Sequence, residues 1–264
     1  MPTFSANGIE IYFERSGSGP PTLFLNGSGA TLESMGLLLG ILADKLDLVA
    51  HDQRGLGRTS VPPGPYTMAD YAADAAAVLD HVGWDTARVV GISFGGMVAQ
   101  EFAVTWPDRV ERLALCCTSP GGKELASFPL QTLAQLAPSE RAAKGVQLLD
   151  TRFTPDYLAS HPEDRGLAEM MAARHTMDKS AEVVRGETEQ LHARAGHDVC
   201  DRLDRITAPT FVACGRYDGI APLPNSEYIA AHTPKSELHI YEGGHAFFAQ
   251  DAKAFPEIIE FLAS

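Results

Sequence analysis

An alternation limits the folds open to this chain more than any other feature. Short apolar runs at residues 22–25, 46–51, 88–92, 112–117, 209–214 and 237–241 are punctuated by Gly, Asp or Pro. Segments with apolar residues at helical spacing lie between many of them. Such a pattern predicts a mainly parallel sheet covered by helices. Residues 9–14 alternate instead, as an edge strand of a hairpin does, with Asn7-Gly8 as the turn before it.

The helical segments carry their own signals. Thr67 with Asp70 three positions on makes a capping box, ahead of Tyr71, Ala75, Val78, Leu79 and Val82 at helical spacing. Residues 95–105 and 247–262 read as further helices, and Pro256 should kink the second or start it afresh. Gly36–Ala43 is the most apolar stretch. At eight residues it falls far short of the roughly 20 that span a bilayer, so it reads as part of a buried helix.

Between about 121 and 205 the alternation fails. Leu133, Leu136, Val146, Leu148 and Leu149, then Met170, Met171 and Met177, have helical character, and no convincing strand appears. The simplest account is one α/β core, residues 1–119 and 206–264, interrupted by a helical lid at 120–205.

Composition narrows the classes of partner. Apolar residues make up 45% and charged residues 21%, a globular balance that argues against a disordered or fibrous chain. A net charge of −13 without a basic stripe argues against nucleic acid, and mildly against anionic membrane surfaces. The opening residues 1–8 have neither a charged start nor an apolar run, so no signal peptide is expected. Cys116, Cys117, Cys200 and Cys214 match no zinc or redox spacing and read as buried free thiols. Together these features suggest a reducing, cytoplasmic setting.

Chemistry concentrates at Gly91-Ile92-Ser93-Phe94-Gly95, where the 88–92 strand meets a helix. A tight strand-to-helix turn exposes a serine, and the flanking glycines let backbones approach closely. The helix N-terminus behind it favours negative charge. A serine needs a base and an orienting carboxylate. Asp218 follows the 209–214 run, and His245 follows the 237–241 run. In a parallel sheet, residues just past successive strand ends lie along one edge, so Ser93, Asp218 and His245 are expected to converge. The order Ser, Asp, His is the one this arrangement requires.

With these motifs the chain resembles the α/β-hydrolases over nearly its whole length outside the lid. Asp52-Gln53-Arg54-Gly55-Leu56-Gly57-Arg58-Thr59-Ser60 is similar to the superfamily's Asp-x-Arg-Gly-x-Gly-x-Ser stretch. Thr59 and Ser60 stand where one residue is expected. The segments 61–67 and 91–97 resemble 3-oxoadipate enol-lactonases and cofactor-free haloperoxidase-like esterases. The resemblance implies an eight-stranded, mostly parallel, doubly wound sheet with a helical lid inserted. It also implies an oxyanion hole from the N–H of Phe94 and one from the Asn26-Gly27-Ser28-Gly29 loop, Ser28 or alternatively Gly27. Asn26 stands where many relatives have His.

The resulting expectation is a serine hydrolase that cleaves a small-molecule carboxylic ester or lactone through an acyl-enzyme, with no metal or organic cofactor. Asn26, Met170 and Phe247 are pocket candidates, although Phe247 could equally staple the last helix to the sheet. Arg152, Arg165, Arg174 and Arg185 are candidate anchors for a substrate carboxylate, against a solvated helix face. His175, His192 and His197 lack accompanying carboxylates or cysteines at metal-ligand spacing. Two other readings use the same triad: a carbon–carbon bond hydrolase acting on a β-diketone-like compound, and a signal-binding module with little turnover. Monomer and homodimer are both open.

Overall fold

The computed structural model describes residues 2–176 and 178–264, with the backbone alone at 174–176. Eight strands form one sheet in the order β1-β2-β4-β3-β5-β6-β7-β8. They are β1 Thr3–Ala6, β2 Ile9–Ser16, β3 Pro21–Leu25, β4 Asp47–His51, β5 Ala87–Ile92, β6 Val110–Cys116, β7 Thr210–Gly215 and β8 Ser236–Tyr241. The hairpin β1–β2 is antiparallel and joins β4 antiparallel at one edge. From β4 onward every neighbour is parallel. β1 had no apolar run of its own to announce it, only the Asn7-Gly8 turn that follows it.

Ten helices accompany the sheet among the described residues: α1 Gly36–Ala43, α2 Met68–Val82, α3 Phe94–Thr105, α4 Pro138–Leu149, α5 Pro155–Ser160, α6 Pro162–Thr176, α7 Ala181–Ala195, α8 Leu223–His232, α9 Phe247–Gln250 and α10 Ala254–Ala263. Strand residues alternate between two cores, as the two-residue period of a strand requires. Leu23, Leu25, Val89, Leu113 and Leu115 pack with α2, α3 and Ile229 of α8 on one face. Phe24, Val90, Ala114 and Phe211 pack with α1 and α10 on the other. Each such buried side chain contributes about 1.5–3 kcal/mol.

Local signals hold in detail. The Thr67 hydroxyl accepts the Asp70 N–H at 3.2 Å, and the Asp70 carboxylate accepts the Thr67 N–H at 2.8 Å. Gly83, at φ 76°, closes α2 in the left-handed conformation. The last helix does start afresh: α9 stops at Gln250, and Pro256 sits in the first turn of α10, where its missing N–H has no helical acceptor to lose.

Helix α1 departs from the buried helix expected of it. Leu38, Leu39 and Leu42 are buried, but Leu37 is 84% exposed and Ile41 is 37% exposed. A helix lying on a sheet buries one face only, and an apolar residue on the far side remains in solvent. Cys200 is half-buried, whereas Cys116, Cys117 and Cys214 are buried as expected, and all four are free.

Helices α4 to α7 stand between β6 and β7. No described helix is long and apolar enough to cross a membrane.

Candidate active site

Ser93 sits between the end of β5 and the start of α3 with φ 56° and ψ −115°. That region is costly for any residue with a Cβ, so the surroundings must hold it there. Its N–H donates to the Cys116 carbonyl at 2.8 Å, and its own carbonyl accepts the Thr118 hydroxyl at 2.8 Å and the Gly96 N–H at 2.9 Å. Glycine is required on either side. A Cβ on Gly91 would strike the Gly95 carbonyl, and one on Gly95 would strike the carbonyls of Leu25 and Asn26.

The loops after β7 and β8 bring Asp218 and His245 to Ser93. His245 Nε2 lies 2.9 Å from Ser93 Oγ, and His245 Nδ1 lies 2.8 Å from Asp218 Oδ2. A carboxylate only accepts, so Nδ1 carries the proton and Nε2 is left to accept the serine hydroxyl. The Asp218 side chain is fully buried, and its Oδ1 accepts the N–H groups of Ile220 at 2.7 Å and Ala221 at 2.9 Å. Those two bonds fix the carboxylate orientation and stabilise its charge.

The segment that ends α4 holds both loops, and sequence reasoning missed it. The Leu149 carbonyl accepts the His245 N–H at 2.6 Å, the Leu148 carbonyl accepts the Gly219 N–H at 3.1 Å, and the Thr151 N–H donates to the Tyr217 carbonyl at 2.9 Å. Beside it, the fully buried Asp150 carboxylate takes Arg152 side-on, through Nε at 3.0 Å and Nη2 at 2.6 Å. It also accepts Gln250 Nε2 at 3.0 Å, and Gln250 Oε1 accepts the Gly244 N–H at 2.8 Å, next to His245. In the sequence this segment shows only an aspartate followed two positions on by an arginine.

The loop at residues 26–29 lies against the serine. A Cβ on Gly27 would stand 3.6 Å from the Ser93 Cβ. Phe94 opens α3, so its N–H has no helical acceptor. Asp52 secures the far side of this loop: Oδ1 accepts the Leu32 N–H at 2.7 Å, and Oδ2 accepts the Arg58 N–H at 2.9 Å. Burial pushes its carboxyl above the ordinary range despite these bonds. Arg54 is buried against Asp74 through Nε at 2.7 Å and Nη2 at 2.9 Å. The additional hydroxyl residue has a use: Thr59 Oγ1 accepts the Tyr12 N–H and Ser60 Oγ accepts the Glu10 N–H, so both bind β2.

The three pocket candidates occupy different surroundings. Asn26 is fully buried, its Nδ2 3.5 Å from the His51 carbonyl and its own carbonyl bonded to Gln53 Nε2 at 2.6 Å. Its side chain thus braces the β3–β4 junction. Met170 is 65% exposed on α6 and lines an outer cleft of about 440 Å³ with Arg152, Asp164 and Gln250, to which no triad residue contributes. Phe247 is fully buried, stacked on Tyr241 with ring centroids 5.0 Å apart, and so staples α9 to the sheet.

Of the four arginines singled out, Arg152 is paired to Asp150, and Arg185 donates to the Val61 carbonyl at 2.8 Å. The Arg174 and His175 side chains, and Met177 altogether, lie outside the described residues. His192 is on the exposed side of α7, and His197 is buried just beyond that helix.

Two residues of α7 that the sequence had not suggested approach the site. Gln190 Oε1 accepts the Gly29 N–H at 2.8 Å, and Arg194 Nη1 donates to the Phe128 carbonyl at 2.7 Å. Gly186 of the same helix abuts Gly55 so closely that a Cβ would overlap its carbonyl.

Known proteins share this architecture. A poly(3-hydroxyalkanoate) depolymerase of Ectopseudomonas oleovorans is 32% identical over 92% of this chain and 84% of its own length. The 3-oxoadipate enol-lactonase 2 of Acinetobacter baylyi is 26% identical over 98% of this chain and 94% of its own. The crystal structure of a hydrolase from Pseudomonas aeruginosa superposes with a TM-score of 0.81 at 26% identity, covering 99% of this chain and 98% of that one. A thermophilic esterase from Thermogutta terrifontis gives 0.77 at 26% identity, over 99% and 96%. The family model for the alpha/beta hydrolase fold matches residues 20–252, from β3 through the histidine loop. By sequence and by fold, then, the chain belongs to the α/β-hydrolase fold family.

Proposed function

We propose that this chain is a serine hydrolase of carboxylic esters or lactones of small molecules, with Ser93 as nucleophile, His245 as general base and Asp218 as its orienting carboxylate. The observation that carries the reading is the continuous line from Ser93 Oγ to His245 Nε2 at 2.9 Å and from His245 Nδ1 to Asp218 Oδ2 at 2.8 Å. Three relatives argue for ester chemistry by what they are: a depolymerase of a polyester, an enol-lactonase and an esterase.

In this mechanism Ser93 Oγ attacks the carbonyl carbon as His245 Nε2 takes the hydroxyl proton. The oxyanion is met by the N–H of Phe94 and by that of Ser28, or alternatively Gly27. Asp218 stabilises the imidazolium, which then passes its proton to the departing alkoxide, and the alcohol leaves. A water molecule, deprotonated by His245, hydrolyses the acyl-enzyme, and the acid is released as Ser93 regains its proton. Helices α4 to α7 serve as the lid over the core formed by residues 1–119 and 206–264.

Turnover of p-nitrophenyl acetate and butyrate tests this reading. Multiple turnovers in the native protein and a loss of at least ~10⁴-fold in kcat for Ser93→Ala are expected. Equal turnover in the two proteins would sink the assignment.

A further inference from the structure

Arg194 is a buried cation with an open edge. The residue is 5% exposed, and its only hydrogen bond among the described residues is from Nη1 to the Phe128 carbonyl at 2.7 Å. Nε and Nη2 are buried and have no partner. No carboxylate of the described residues lies within ion-pair distance of it. Burial pushes its pKa down to about 10 against the attraction of the Asp218 carboxylate, so the guanidinium remains charged at neutral pH. Leaving such a charge buried without a hydrogen-bonded counterion costs several kcal/mol.

The open edge has a known use in this very molecule. The N–H bonds of Nε and Nη2 on this edge lie in the guanidinium plane, point the same way and match the two oxygens of a carboxylate. Arg15 takes Asp47 through that pair at 2.8 and 2.6 Å, Arg54 takes Asp74 at 2.7 and 2.9 Å, and Arg152 takes Asp150 at 3.0 and 2.6 Å. Arg194 alone presents the same edge, buried, to no carboxylate of the chain's described residues.

Its location ties it to the triad. Phe128, which holds Nη1, donates its N–H to the Ile220 carbonyl at 2.7 Å, and the Ile220 N–H donates to Asp218 Oδ1. One turn back on α7, Gln190 is 1% exposed; Oε1 holds Gly29, beside the Ser93 loop, while Nε2 is buried without a partner. Residues four apart share a helix face. That face therefore bonds the 26–29 loop at one turn and reaches the Asp218 loop through Phe128 at the next, and it carries three buried N–H-bearing nitrogens without acceptors.

We propose that Arg194, assisted by Gln190, binds a carboxylate on the substrate, so that the preferred substrates are esters or lactones carrying a free carboxylate on the acyl side. The proposal rests on the hydrolase reading and specifies its substrate class. Arg152 and Arg185, two of the arginines that the sequence suggested, are instead committed to Asp150 and to the Val61 carbonyl.

The test compares acid and neutral esters of equal length: methyl hydrogen succinate, glutarate and adipate against methyl butanoate, pentanoate and hexanoate, followed by proton release. The native protein should favour the acid ester of at least one pair by 10-fold or more in kcat/KM. In Arg194→Met that ratio should fall at least 10-fold, and Gln190→Leu should lower it less. The ratio cancels any general loss of activity, and Arg194→Lys should recover part of it. Unchanged ratios in both variants would overturn the proposal. If no ester of either series is turned over, the hydrolase reading fails on this arm, and calorimetry decides the anchor separately. Glutarate or adipate should bind the Ser93→Ala protein, and at least 10-fold more weakly after Arg194→Met is added. No binding, or binding indifferent to Arg194, would overturn it.

Discussion

The sheet edge and the helices inserted between β6 and β7 contribute to the site in opposite ways. At the sheet edge, position comes from the backbone: Ser93, Asp218 and His245 each follow a parallel strand, and hydrogen bonds to main-chain groups hold them. Among the helices, side chains add to the main-chain bonds at the end of α4: Asp150 reaches across from just past α4, and Gln190 and Arg194 from successive turns of α7. A sheet edge can thus keep its chemistry while the helices above it change what is admitted, because changing a helical side chain leaves strand register untouched.

Substitutions on the two sides should separate chemistry from stability. Asp218→Asn retains an oxygen for the Ile220 and Ala221 N–H groups but turns an N–H towards His245 Nδ1. The imidazole is then driven into the wrong tautomer, and kcat on p-nitrophenyl butyrate should fall by about 10⁴-fold with little change in Tm. Asp150→Asn should do the reverse. It breaks the side-on pair with Arg152 and the bond from Gln250, costing about 3 kcal/mol and lowering Tm by roughly 10 °C, with a much smaller loss of kcat. A thermal melt and a rate assay on both variants check the contrast, and equal losses in both readouts would break it.

The same division explains what could be read in advance. The strands showed themselves because buried parallel strands are continuous apolar runs, and the triad because each member stands just past one of them in a fixed chain order. Nothing comparable marks the helices. Met170 and Met171 are adjacent, yet Met171 packs on Leu149 and Phe153 while Met170 faces outward, and composition could not choose between them. Arginine on a helix reads as solvated, so Arg194 passed unnoticed. The signal lay in its neighbours: Gly186 and Ala193 fall on one face of α7, and small residues there let a helix approach a loop closely enough to bury what stands beside them, Gln190 included. Phe247, just after His245, could be read as a pocket wall or as a staple for the last helix, and α9 turns it into the sheet core.

Acid should stress both regions alike. His51, in β4, and His197, just after α7, are fully buried, and burial lowers each pKa from 6.5 to about 4. The fold thus keeps both neutral while the unfolded chain takes up protons. Their contribution to stability is complete above pH 6.5 and is lost as the pH falls towards 4. At pH 4.5 each should have cost on the order of 2–3 kcal/mol relative to pH 7. Urea unfolding at both pH values should show a smaller acid loss for His197→Phe than for the native chain. An identical loss would mean that His197 does not refuse the proton.

The smallest effect comes from a place where the two regions touch through a single hydrogen bond. Gln190→Leu leaves the half-buried Gly29 N–H without its acceptor, a cost of about 1–2 kcal/mol. Because Gly29 ends the loop proposed to supply an oxyanion donor, kcat/KM on a neutral ester should fall roughly 10-fold, with Tm lower by only a few degrees. Gln190→Glu restores an acceptor for Gly29 and so should recover the neutral ester. It also removes the amide donors beside Arg194 and adds a competing negative charge, so the acid ester should stay slow. Recovery of one substrate without the other would mean that α7 acts on the site twice, by holding the oxyanion loop and by choosing the substrate's charge. Recovery of both would confine Gln190 to the loop.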